Sequence, residues 1–175
     1  MLRVILKDLR TSGRNLLLNG LVNGSLWPRS LRSRAWKHFG HDIDVTASMN
    51  PGSFLGARHG LQVGRKSFIN YNCFFDLAAP TSIGQNCEIG YEVRFITATH
   101  EIGSGARRAG ASRALPISIG DGCWIGAGVT FLPGVTVGRG TVIAAGSTVT
   151  SDCHENSLYA GSPARFKRAL SIGNL

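Results

Sequence analysis

Acidic residues are nearly missing from the first 41 positions of this chain, where Asp8 stands alone among eight lysines and arginines. Long apolar runs are missing too. The most hydrophobic stretch, from Leu16 to Trp27, is interrupted by Asn19, Gly20, Asn23 and Gly24, which argues against a membrane-spanning helix. Pro28-Arg29 follows where small residues would mark a cleavage site, which argues against a secretory signal. Aromatic residues make up 8% of the chain and no recognised nucleic-acid-binding motif is present, so the basicity is not read as nucleic-acid binding. The four cysteines form no CxxC pair. The histidines (His38, His41, His59, His100, His154) are scattered and lack the spacing of a three-histidine zinc site, so no metal is expected.

What is present is a repeat. An aliphatic or aromatic residue recurs every six positions, often followed by Gly, with a small or β-branched residue four places on. It runs through Val63, Ile69, Phe75, Ile83, Ile89 and Phe95, and resumes at Ile119, Ile125, Phe131, Val137, Ile143 and Val149. The column four residues later reads Ser67, Cys73, Ala79, Cys87, Val93, Thr99, Cys123, Val129, Val135, Thr141, Ser147 and Cys153. Self-similarity at a fixed period is the mark of a repeat architecture.

A period of six is too long for an alternating strand and wrong for a helix. It suits a triangular β-coil, in which each unit supplies one short strand and one corner, and three units close one turn. Inward residues then stack from coil to coil and bury a core that no single repeat buries alone. The narrow corner explains the small column. Gly after the apolar residue permits close backbone approach and unusual dihedrals. One irregularity precedes the break, the eight-residue step from Phe75 to Ile83, with Pro80 and Thr81 in a bulged corner. Ile43 to Ala47 and Phe54 to Gly56 read as irregular early coils.

The net charge of +9 is unevenly placed. Residues 1–41 carry +7 and the remainder +2. The basic segment reads as helical, with Leu16-Leu17-Leu18, Leu21-Val22, Leu26-Trp27, Pro28 as a breaker, then Leu31 and Trp36. Such a helix meets an anionic membrane surface or an acidic substrate, or packs on a neighbouring subunit with its charges in water. Cys73, Cys87, Cys123 and Cys153 all fall in the small column and are read as buried apolar filler, suited to a reducing cytoplasm. The resulting organisation is a helical segment over 1–41, a solenoid domain over 42–168 with an excursion at 99–116, and a tail over 169–175.

His100 opens the only long excursion from the repeat. An imidazole on a loop beside a rigid wall suits a general base, because its pKa lies near operating pH. A loop histidine with a purely structural role is the alternative. The excursion adds Arg107, Arg108 and Arg113, which suit a phosphorylated, nucleotide-linked or acidic acceptor, or simply lie on the surface.

From about Gly64 to Arg168 the chain resembles the hexapeptide-repeat acyltransferases, and within them the sugar and exopolysaccharide O-acetyltransferases of the galactoside and maltose acetyltransferase type. The resemblance rests on Phe68-Ile69-Asn70-Tyr71-Asn72, Thr99-His100, Pro116 to Gly126 with its Trp124-Ile125-Gly126, Leu132-Pro133-Gly134-Val135, and Ala160-Gly161-Ser162-Pro163-Ala164-Arg165. It implies a left-handed parallel β-helix and a homotrimer with active sites between neighbouring solenoids. It implies acetyl-CoA as acyl donor, no metal, and a saccharide or hydroxylated small molecule as acceptor. His100 matches the family's catalytic base, and the backbone amide at Ala127 its oxyanion donor. Asn70 matches an acceptor contact, with a corner role as the alternative. Asp76 is the nearest carboxylate where galactoside-type enzymes carry an acidic pair and this chain has Leu77-Ala78. Trp124, Gly126, Ala127, Ala145, Thr150, Arg165 and Arg168 fall on the CoA side, the arginines suited to phosphate. Ser151 stands where relatives often carry lysine. N-acetylation of an amino sugar, acetylation of an antibiotic hydroxyl, a non-catalytic scaffold and a zinc hydrolase are the rival readings.

Overall fold

The computed structural model describes residues 2–171, except the side chains at 2–4, Lys7, Arg10, Arg14 and Ser30. Residues 172–175 of the expected tail lie outside the described residues. The chain is a left-handed parallel β-helix of about 6 turns. Three sheets form a triangular prism. Sheet A stacks Asp42–Ile43, Leu61–Val63, Thr81–Ile83, Ile117–Ile119 and Thr136–Val137. Sheet B stacks Ser48–Met49, Phe68–Ile69, Glu88–Ile89, Trp124–Ile125, Val142–Ile143 and Ser157–Ala160, with Arg165–Ala169 folded back antiparallel on the last. Sheet C stacks Phe54–Leu55, Phe74–Phe75, Arg94–Phe95, Thr130–Phe131 and Thr148–Val149.

The register follows from the repeat. Ile43, Val63, Ile83, Ile119 and Val137 align inside sheet A, and Met49, Ile69, Ile89, Ile125, Ile143 and Tyr159 inside sheet B. Sheet C contributes Leu55, Phe75, Phe95, Phe131 and Val149. All of these are buried. Inside sheet C, Phe75 stacks on Phe95 at 4.8 Å and Phe95 on Phe131 at 5.2 Å between ring centroids. Offset stacking of this kind adds to area burial.

Four expectations need correction. First, the early coils are regular: Ile43, Met49 and Leu55 occupy the same buried positions as their counterparts above. Second, the step from Phe75 to Ile83 is one of two, since Leu55 to Val63 makes the same eight-residue step at the same corner. Third, the left-handed residue stands three places after the apolar one, at Lys66, Asn72, Asn86 and Glu92 below the excursion and at Gly122, Gly128, Gly140 and Gly146 above it. Asn70 does not share it. Gly at the first place serves close approach alone: a Cβ on Gly126 would meet the Ala145 amide nitrogen at 2.4 Å. Fourth, Ala79 and Thr99 are not interior residues. Leu77 and Thr97 fill that corner instead, because the chain turns wider there.

The cysteines do more than fill space. At the corner between sheets A and B, the thiols of Cys87 and Cys123 donate to the carbonyls of Gly120 and Gly138 in the next coil, at 3.1 and 3.2 Å. Ser67 and Thr141 do the same to Gly84 and His154, both at 2.7 Å. A donor is useful at this corner because the turn leaves a partly buried carbonyl without a ladder partner. Burial pushes the thiols of Cys73 and Cys153 up, to about 12 and about 11, so neither is a ready nucleophile.

The open lower end is covered by helices, as a solenoid terminus requires. Helix α1 (Leu2–Arg14) runs into a wider π-helical stretch (Asn15–Val22), and α2 (Arg29–His38) crosses the first coil. Trp36 is fully buried there. Arg32 is buried without a carboxylate and instead donates to four carbonyls, those of Val22, Met49, Gly24 and Trp27, at 2.7–3.1 Å. Asn19 gives and receives one hydrogen bond with the Leu55 backbone, at 3.0 and 2.9 Å, closing the exposed edge of sheet C.

Candidate active site

The excursion is an ordered β-hairpin. Ala98–Ile102 pairs antiparallel with Ala109–Ala114, so the histidine sits on a strand and not on a free loop. The hairpin leaves at the corner between sheets C and A, between the third and fourth coils. His100 is exposed, and its Nδ1 lies 3.1 Å from the carbonyl oxygen of Gly110 across the hairpin. A carbonyl only accepts, so the neutral imidazole carries its proton on Nδ1 and leaves Nε2 as an open acceptor.

Asp76 stands at the root of the hairpin. Its Oδ2 accepts from the Thr97 amide at 3.1 Å, the Thr97 hydroxyl at 3.2 Å and the Ala98 amide at 2.7 Å. This carboxylate therefore fixes where the His100 strand departs. Arg107 and Arg108 lie exposed near the hairpin tip, with Arg108 reaching the Gly103 carbonyl at 3.4 Å. Arg113 is exposed on the returning strand.

The other candidates fall mostly on a different edge. Asn70, Gly126, Ala127 and Ala145 lie on the corner between sheets B and C, in the second, fourth and fifth coils. Asn70 spends its side-chain oxygen on Asn50 Nδ2 and the Tyr71 amide, each at 3.0 Å. Its side-chain nitrogen has no acceptor among the described residues. On either side of Ala127, the amides of Gly126 and Gly128 donate to Ile143 and Tyr91 at 2.8 and 2.7 Å. The Ala127 amide has no acceptor among the described residues, and the residue is exposed. Tyr71 and Tyr91 stack on this same edge at 6.0 Å, a pair that the reading of the sequence passed over.

Trp124 projects from the outer face of sheet B and is 62% exposed, with Val142 and Leu158 next in its column. Thr150 and Ser151 are exposed at the corner between sheets C and A, on the hairpin's edge. Arg165 and Arg168 are exposed on the last strand, Arg168 opposite Leu158. The structure thus groups Asn70, Ala127 and Ala145 on one edge of the prism and His100, Asp76, Thr150 and Ser151 on the next. It does not bring the two groups together within one chain. Among the described residues no cluster of three or more His, Cys, Asp or Glu is placed to hold a metal ion.

Sequence reasoning missed Asn50 and Gly110, the partners that orient Asn70 and His100. Asn50 was findable, lying one 20-residue coil before Asn70. Gly110 acts through its backbone and leaves no side-chain signal.

Comparison with known proteins agrees with the fold. A family described as bacterial transferase hexapeptide (six repeats) matches residues 116–151. A hexapeptide-repeat-containing acetyltransferase from Vibrio cholerae is 31% identical, covering 94% of this chain and 92% of that one, with a TM-score of 0.80. The same Vibrio protein has been solved in complex with acetyl-CoA. A maltose O-acetyltransferase from Clostridium difficile 630 is 28% identical over 93% of this chain and 88% of its own, with a TM-score of 0.84. With likeness of this extent along both chains, the protein belongs to the hexapeptide-repeat acetyltransferases. A candidate acetyltransferase of Schizosaccharomyces pombe is 50% identical over 107 residues, 61% of this chain and 52% of that one. The chain spans about half the length of the curated relatives it matches.

Proposed function

We propose that the protein moves an acetyl group from acetyl-CoA to a hydroxyl of a saccharide or hydroxylated small molecule, with His100 as general base. The observation that carries this reading is the Nδ1–Gly110 hydrogen bond, which holds the ring in the tautomer a base needs. Nε2 takes the proton of the acceptor hydroxyl as its oxygen attacks the thioester carbonyl. The amide of Ala127 donates to the oxyanion that forms. Collapse breaks the C–S bond, and the imidazolium returns its proton to the departing thiolate. No covalent acyl-enzyme is formed.

His100 and Ala127 sit on neighbouring edges of the prism, with a face of the prism between them. A base works within about 3 Å of the proton it takes. This separation supports a site assembled from the hairpin edge of one copy and the Ala127 edge of another, and hence the cyclic trimer that the family resemblance implies. Exposed Trp124 suits the pantetheine arm, and Arg165 and Arg168 the CoA phosphates. Arg107 and Arg108 at the hairpin tip favour an acceptor bearing negative charge.

The test is His100→Ala, assayed by acetyl-CoA-dependent thiol release over a panel of neutral and acidic sugars. Turnover should fall by about 10²–10⁴-fold with CoA affinity unchanged. Equal turnover in the variant would remove His100 from the mechanism.

A further inference from the structure

Helix α1 leaves an apolar row uncovered. Ile5, Leu6 and Leu9 on α1 and Leu16, Leu17, Leu21 and Leu26 beyond it are between 45% and 95% exposed. Helix α1 continues directly into the π-helical stretch and forms no substantial contact with any strand. Positions 3, 7, 10 and 14 of the same helix are all lysine or arginine, spaced three or four residues apart. Exposed Arg34 and Lys37 of α2 extend the positive charge. No helix among the described residues is long and apolar enough to cross a membrane.

We infer that this segment lies in the surface of an anionic lipid bilayer and carries the solenoid to it. An apolar row flanked by cations is the pattern of a helix lying in the lipid interface, its leucines among acyl chains and its cations at the headgroups. Charge decides against a second copy as occupant. Residues 1–41 carry +7, and the rest of the chain is itself net positive at +2, so a second copy offers no net negative charge to match the segment. Aliphatic rather than aromatic side chains fill the row, which fits acyl chains and not stacked bases. The inference stands apart from the acyl-transfer reading and does not need the acceptor to be known.

The experiment is co-sedimentation of the full chain with vesicles of phosphatidylcholine alone, and with about one part in three phosphatidylglycerol. The protein should pellet with the anionic vesicles and stay in solution with the neutral ones. About 0.5 M salt should release most of it. Leu6→Asp with Leu9→Asp, and separately Lys7→Glu with Arg10→Glu, should each weaken anionic binding by about tenfold or more with the melting temperature unchanged. Failure to pellet with anionic vesicles, or equal binding to both kinds, would overturn the proposal. So would a Leu6→Asp, Leu9→Asp variant that dissociates the oligomer yet binds vesicles as before, which would make the row a subunit contact.

Discussion

Phe75, Phe95 and Phe131 lie one above another inside the solenoid, each covered by the coil above and the coil below, whereas Leu9, Leu16 and Leu26 of the N-terminal segment face outward. The difference comes from repetition. In the solenoid, every inward residue meets its own counterpart one coil away, so a period of six supplies both the strand and the partner that buries it. The N-terminal helices have no repeat and no such partner. Only Leu18, Val22, Arg32, Trp36 and a few neighbours reach the first coil, and the remaining apolar surface stays exposed.

Truncation separates the two regions most strongly. Phe95→Ala removes the middle of the phenylalanine stack and should cost about 3–5 kcal/mol. Leu9→Ala should leave the melting temperature within the error of the scan, since an exposed substitution is worth about 0.5 kcal/mol or less. Comparable losses in denaturant melts of the two variants would mean that α1 is part of the cooperative core.

A smaller effect tests the seam between the regions. Burial, helped by His59 nearby, holds the His41 imidazole down to about 4. Its Nδ1 accepts from the Leu61 amide at 3.4 Å. The folded state keeps this ring neutral while the unfolded chain protonates it near its ordinary value. Below about pH 6.5 the unfolded state therefore binds the extra proton, and stability falls as the pH drops toward 4. Above that range this group contributes no pH dependence. His41→Asn should flatten the slope of melting temperature against pH between about 6.5 and 4. An unchanged slope would assign the titration elsewhere.

The smallest effect lies at the corner. Cys123→Ser keeps a donor to the Gly138 carbonyl and should be tolerated, while Cys123→Ala strands that acceptor and should cost about 1 kcal/mol. Equal stability of the two would return the cysteines to plain filler.

The prism was largely legible in the sequence, because period, small column and glycine each answer to one geometric demand. Met49 shows where the reading stopped short: methionine in a column of isoleucines hides a regular coil behind an unexpected side chain. The eight-residue steps were half seen, since the first falls among residues that look irregular. The site was less legible. His100, Asn70 and Ala127 were found by likeness, but their partners are a backbone carbonyl at Gly110, a residue one coil below at Asn50, and an amide defined only by what it fails to donate to. Asp76 was expected near the acceptor, and its hydrogen bonds to Thr97 and Ala98 give it a positioning role at the hairpin root. No sequence spacing records that His100 and Ala127 stand on two different edges of the prism.

The most direct test of the central claim, that the solenoid carries an acyl-CoA site, is thermal unfolding with and without CoA or acetyl-CoA. It requires no acceptor. At about 100 times the dissociation constant a ligand adds roughly 2.7 kcal/mol per site. The account predicts a clear rise in melting temperature with either ligand, equal in the wild type and in His100→Ala, because the histidine serves the transition state and not CoA binding. No shift at millimolar ligand in either protein would contradict it and leave the solenoid a scaffold.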